Sequence, residues 1–221
     1  MDFADLSEPL RVLLSTLTPA IRQVYDVNAE RYDELAGDDA IVFGISVYRN
    51  SWFRVEQEVR ELVGWKTSRP DGSLLISGHD YRLHIYRFGD DELTDLDLFR
   101  IDEHTSSATK RHVAETNRQL RFVYNQTTET PDATEYHDLW IVHAGNPADG
   151  CCAIWIGAPL AADEQLSGLW AWTIPVWTIE RAESVDTSGT ETNRQTPHDE
   201  LPEPDIEITA VEDNQPETGQ A

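Results

Sequence analysis

The sequence predicts an α+β domain: N-terminal helices packed on a mainly antiparallel sheet of about five strands, followed by a disordered acidic C-terminal tail. Three observations predict it. Apolar residues recur at helical spacing through residues 7–64, then at strand spacing through residues 74–88 and 138–179. Short turn-forming links join the strand-like runs, as antiparallel neighbours allow. No large aromatic follows Trp177, and residues 180–221 hold 12 acids against 2 bases. Such a segment cannot bury enough apolar surface to offset the entropy of ordering it. The chain therefore reads as one domain over residues 1–180 and a tail over residues 181–221.

The elements follow in order. "SEPLRVLLSTL" has Ser7 as N-cap and leucines at 6, 10, 13, 14 and 17, a short first helix. A second helix is expected from Thr18, with Pro19 at its first position and Gly37 as its stop. Its stripe is Ile21, Val24, Tyr25, Asn28, Tyr32 and Leu35. Asp38 or Asp39 then caps a long helix whose stripe is Ile41, Ile45, Tyr48, Trp52, Val55, Val59 and Leu62, ending at Gly64. "SLLIS" and "YRLHIYRF" flank Gly78, His79 and Asp80 and read as a hairpin. "LTDLDLFRID" is ambiguous between helix and strand. "SSATKRHVAETNRQL" reads as a solvent-facing helix capped by Ser106 or Ser107. "YHDLWIVHA", "CCAIWIGA" and "LWAWTIPVWTI" supply three more strands. In the last, Trp170, Trp172, Ile174 and Val176 share a face, and Pro175 on the other face marks a sheet edge.

Charge is the strongest compositional signal. Lys and Arg total 17 against 41 Asp and Glu, a net charge of −24, and Lys66 and Lys110 are the only lysines. An acidic excess with almost no lysine resembles the protein style of halophilic organisms. In roughly 1 M salt the Debye length is only about 3 Å, so the self-repulsion of such a surface is largely screened. A free nucleic-acid surface is disfavoured, because no cluster of cations stands clear of neighbouring acids. No apolar run approaches a membrane span, and the first residues, "MDFADL", carry acids where a secretory signal carries bases. Two adjacent cysteines, Cys151 and Cys152, do not staple a fold. A reducing, cytoplasmic setting is expected. Within the tail, "PDIEITAV" alternates Ile206 and Ile208 with acids, the pattern of a strand that adds to a partner's sheet edge. A plain solvating tail is the simpler reading.

Four constellations are candidates for chemistry. In "VHAGNPADGCCAIWIG" a six-residue loop, Gly145 to Gly150, would set His143 opposite Cys152, within reach of a thiolate–imidazole pair. No oxyanion donor or orienting carboxylate accompanies them, and the paired spacing of a zinc motif is missing. The hairpin reads as structural. Pro70-Asp71 and Asp80-Tyr81-Arg82 resemble the PD-(D/E)xK nuclease pattern, whose acids would hold Mg²⁺. Arg82 stands where that pattern has lysine and cannot serve as a base. A hairpin would also hold Asp71 and Asp80 near 20 Å apart, at a rise of ~3.3 Å per residue. His84 lies nearby on the strand. Third, the run Thr105 to Arg111 is a hydroxyl-rich helix start followed by Lys110 and Arg111, the elements of an anion seat. Last, five of the seven tryptophans fall in the final three strands, and Trp155, Trp172 and Trp177 are candidates for a binding surface.

No glycine-rich nucleotide fingerprint, phosphate loop or G-x-S-x-G elbow is present. No metal or cofactor is expected. The leading expectation is a non-catalytic accessory or interaction protein of a halophile, binding another protein through the tryptophan-rich sheet edge or the tail. The alternative is a metal-dependent hydrolase or nuclease-like enzyme using Asp71, Asp80 and His84.

Overall fold

The computed structural model describes residues 2–70, 73–96, 108–125, 135–160 and 170–180. The chain divides into Met1–Arg181 and Ala182–Ala221. The second unit lies wholly outside the described residues, as does the expectation of a disordered tail.

Helix α1 spans Glu8–Ala29 and α2 spans Ala40–Arg60. Strands β1 (Trp65–Ser68), β2 (Leu75–Gly78) and β3 (Tyr81–Arg87) follow, then α3 (Ala108–Asn125), β4 (Asp138–Asn146), β5 (Gly150–Pro159) and β6 (Trp170–Thr178). The six strands lie in sequence order in one sheet. Every pairing is antiparallel except β3–β4, which is parallel and spans α3 in the sequence. The α+β architecture is as predicted, with one strand more than expected: β1 is four residues long and mostly polar.

The helical layer departs from the sequence reading in a physically informative way. Residues 8–29 form one helix rather than two, with Pro19 inside it and exposed. A proline in a helix interior costs about 3 kcal/mol. The buried stripe Leu10, Leu13, Leu14, Leu17, Ala20, Ile21, Val24, Tyr25 and Asn28 runs through it without a break of phase. At about 1.5–3 kcal/mol per buried aliphatic side chain, that contiguous burial outweighs the lost bond. Ser7 stands at the N-cap without a side-chain capping bond. The helix stops at Ala29 rather than Gly37, and Leu35 is 100% exposed on a short 3-10 turn.

Asp39 caps α2 as expected, its Oδ1 accepting from the Val42 amide at 2.8 Å. The buried face is Phe43, Val47, Ser51, Trp52, Val55 and Val59. The predicted phase holds from Tyr48 onward but not before, since Ile41 is 71% and Ile45 59% exposed.

β2 and β3 meet in a two-residue turn, His79-Asp80, with φ of 49° and 68°. Both residues sit in the left-handed region that this tight hairpin requires. The β4–β5 turn is Pro147-Ala148-Asp149, stabilised by the Asn146 side-chain oxygen, which accepts from the amides of Ala148 and Asp149 at 2.9 Å. Asn146 pairs with Gly150, Gly145 with Cys151, Ala144 with Ala153 and His143 with Ile154. Cys152 is thus the extra residue of a β-bulge. The expected six-residue loop and its His143–Cys152 pairing are not formed.

The sheet is covered on both faces. α1 and α2 enclose the larger cluster with Leu83, Ile85, Leu139, Ile141, Ile154 and Ile156. On the other face Tyr86, Trp140, Val142, Ala144, Ala153 and Trp155 pack with Val113 and Ala114 of α3. α3 is therefore a packed helix rather than a solvent-facing one. β4 and β5 are buried almost throughout because they are central and clad on both sides.

Candidate functional site

The β4–β5 hairpin gathers a dry polar cluster. His143 has 0% exposure and points into the helical layer, where its Nδ1 lies 2.8 Å from the Tyr25 hydroxyl of α1. The two rings meet edge to face, centroids 5.5 Å apart. Among the described residues the Nε2 of His143 has no hydrogen-bond partner. Burial, with the Arg87 charge adding to it, pushes the imidazole pKa down to about 3, so His143 is neutral. Burial also raises the Tyr25 phenol. Arg87 donates to the Gly145 carbonyl at 2.9 Å and to Asp90 at 2.7 Å, tying β3 to the turn.

Neither cysteine is the register partner of His143 across the hairpin. Cys151 is buried, and desolvation, reinforced by Cys152, pushes it up to about 12. Cys152 is fully buried, its Sγ 3.7 Å from the Gly150 carbonyl and 3.8 Å from Asn146 Nδ2. The reactive species of a cysteine is its thiolate, which this setting suppresses. His143 is bonded to a tyrosine 118 residues away, a partner no local motif announces.

The Asp80 region is equally specific. Asp80 is exposed at the tip of the β2–β3 turn, whereas His84 is 3% exposed on β3, against α3's face of the sheet. Ser73 Oγ approaches His84 Nδ1 at 3.4 Å, a long contact. Burial holds the His84 imidazole below its ordinary range, against an opposing pull from Asp138. Arg82 is bound to the buried Asp138 of β4, its register partner across the parallel seam. Asn117 of α3 donates to the carbonyls of Asp138 and Pro159 at 2.9 Å, locking α3 onto that seam. Asp71 lies outside the described residues. Among the described residues no group of three or more His, Cys, Asp or Glu is placed to hold a metal ion. Arg111 is half-exposed on α3; the side chain of Lys110 and the hydroxyls of residues 105–107 lie outside the described residues.

The tryptophans divide between the faces. Trp140 takes Tyr86 and Trp170 edge to face at 4.9 and 5.7 Å, and Trp170 Nε1 donates to the Leu96 carbonyl at 3.1 Å. β6 carries two bulges against β5, leaving Ala171 and Val176 without register partners. The first separates Trp170, which joins the α3-side cluster, from Trp172, which packs against the helix-side core. The expected common face holds for Trp172, Ile174 and Val176, which all pack on the α1–α2 side, and fails at Trp170. Trp177 is on the helix side, with the Arg22 guanidinium 4.3 Å above its ring. Trp155, Trp170 and Trp172 line an open cavity of about 410 Å³, closed on its other side by Glu92, Thr94, Asp95 and Leu96. Thr173 stands exposed at its rim. β6 is the last strand of the sheet, so the cavity sits at an edge.

No family model, curated protein or solved structure matches this chain. No helix among the described residues is long and apolar enough to cross a membrane.

Proposed function

We propose that the chain is a non-catalytic accessory protein of a high-salt organism, binding another protein through the tryptophan-lined cavity beside β6. The observation that carries this reading is the cavity itself, about 410 Å³ with Trp155, Trp170 and Trp172 in its wall. Indole side chains supply large, rigid contact area and dominate the energetic centres of interfaces. The acidic surface supports the high-salt setting, because dense carboxylates stay hydrated and mutually screened there.

The test is an affinity purification of the tagged full chain from a halophilic host, comparing Thr173→Arg with Ser15→Arg. Thr173 is exposed at the cavity rim and Ser15 is exposed on α1. A near-stoichiometric partner held by wild type and by Ser15→Arg, but lost with Thr173→Arg, supports the reading. The same proteins retained by all three chains would sink it. Mg²⁺-dependent phosphodiester hydrolysis abolished by Asp80→Asn would replace it with the metal-dependent hydrolase alternative.

A further inference from the structure

The outer face of α2 combines exposed apolar side chains with arginines. Its exposed residues are Ala40, Ile41, Val42, Ile45, Arg49, Asn50, Phe53 and Arg60, and none is a carboxylate. Exposure reaches 71% at Ile41, 59% at Ile45 and 61% at Phe53. With Arg49 these residues step by four along one ridge, so they share a face. The two acids on the flank are already committed, Glu56 to Arg69 through two bonds of 2.7 and 2.6 Å, and Glu58 to Arg54 at 2.8 Å. Arg49 lies 5.3 Å from the Trp52 ring centroid. Neither Arg49 nor Arg60 is within ion-pair distance of a carboxylate among the described residues.

α1 shows what an ordinary surface of this chain looks like: its exposed positions include Glu8 and Asp26 among Val12, Ser15 and Gln23. Four large aliphatic or aromatic side chains left in water on one helix mark an interaction site. Two guanidinium groups outside any ion pair among the described residues, in a chain of net charge −24, specify what it meets.

We infer that the outer face of α2 is a docking ridge for an acidic amphipathic helix of a partner protein, distinct from the tryptophan-lined cavity. Apolar side chains of that helix would seat between Ile41, Ile45 and Phe53, and its carboxylates would meet Arg49 and Arg60. From Ile41 to Phe53 the ridge is about 18 Å long at 1.5 Å per residue, matching roughly three turns of a partner helix. A second copy fits poorly. Self-pairing of this face leaves Arg49 without an acid, because the nearest exposed carboxylates are Asp39 before α2 and Glu61 after it.

The test uses the full chain and two synthetic 18-residue helical peptides that share a leucine stripe. One is flanked by glutamates, the other by lysines, and binding is read by fluorescence anisotropy in 0.3 M and 2 M KCl. The glutamate peptide is expected to bind roughly tenfold or more tighter than the lysine peptide. Net charge alone predicts the reverse order, so this ranking separates local from global electrostatics. Arg49→Glu or Arg60→Glu should each abolish the preference. Phe53→Ser should weaken both peptides, and Val12→Ser on α1 should change neither. The proposal is overturned if the lysine peptide binds as well or better, if neither peptide binds, or if Arg49→Glu and Arg60→Glu leave the ranking intact. Sedimentation of wild type as a dimer that Phe53→Ser dissociates would also overturn it, giving the face to a second copy.

Discussion

Acidification should destabilise this protein through one side chain more than any other neutral group. His143 is sealed between α1 and β4 at 0% exposure, with a pKa held at about 3 against an ordinary 6.5. The unfolded chain takes up a proton below pH 6.5; the folded chain refuses it until about pH 3. Above pH 6.5 neither state binds that proton, so His143 makes no contribution to the pH dependence. As pH falls through 6.5, unfolding gains a proton-binding advantage, and the stability present at neutral pH is lost progressively. At pH 5 the solution is 1.5 units below the unfolded pKa, which corresponds to about 2 kcal/mol. The comparison is wild type with His143→Asn, whose amide offers Tyr25 a partner in place of Nδ1 but does not titrate. Urea unfolding in 2 M KCl, where carboxylate repulsion is screened alike in both, is followed from pH 8 to pH 5. The variant starts less stable because of its smaller side chain, so the readout is the change with pH. Wild type is expected to lose about 2 kcal/mol more than the variant over that range. Equal losses, or titration near pH 6.5 of the imidazole NMR signal that is missing from His143→Asn, would refute the account of His143 as a dry, neutral group.

Other outcomes follow from the same structure. Melting temperature should climb between about 0.1 M and 2 M KCl as carboxylate repulsion is screened, and a flat or falling profile would contradict a high-salt adaptation. Pro19→Ala should raise stability by about 1–2 kcal/mol in denaturant titration, since Pro19 is an exposed interruption of a continuous helix. Gly145→Ala should cost about 3 kcal/mol or prevent folding, because its Cβ would lie 2.1 Å from the Gly150 carbonyl oxygen and 2.6 Å from the Tyr25 ring. Thiol reagents should label Cys151 and Cys152 slowly in the native protein and rapidly in urea; fast native labelling would mean an accessible thiolate.

What was legible in the sequence tracks what local physics decides. The helix-then-strand order, the Asp39 cap and the burial of Trp52, Val55 and Val59 follow from spacing alone. The early part of α2 was not legible because Ile41, Val42, Phe43, Ile45 and Val47 are all apolar, and several helical phases fit them. Packing chose Phe43 and Val47. Pro19 looks like a helix start because proline is tolerated at a first turn, yet burial on both sides of it decided otherwise. Gly145 reads as turn chemistry beside Asn146 and Pro147, but it is a strand residue kept bare by the close Tyr25 ring. Placing Gly145, Asn146 and Gly150 in the loop lengthened it, and the bulge at Cys152 moves the partner of His143 one residue further, to Ile154. Of the candidate site, the clustering of tryptophans in the last strands was visible. Their division between faces was not, because bulges at Ala171 and Val176 break the alternation. The Tyr25–His143 and Arg82–Asp138 partnerships join distant segments and have no local signature.

The parallel seam between β3 and β4 makes the sheet two local meanders fused along one line. Within β1–β2–β3 and within β4–β5–β6 every pairing is between neighbours in the sequence, so each can gain most of its pairing without the other. Joining them requires the ends of residues 88–137 to come together, a closure whose length-dependent entropy is about 3.5 kcal/mol. That cost falls on one step, which also brings Arg82 to Asp138. The seam is therefore the natural rate-limiting event of folding, the last junction to form and the first to part. A chain stalled before it would present two bare strand edges, β3 and β4, the second of them carrying the apolar run Leu139 to Val142.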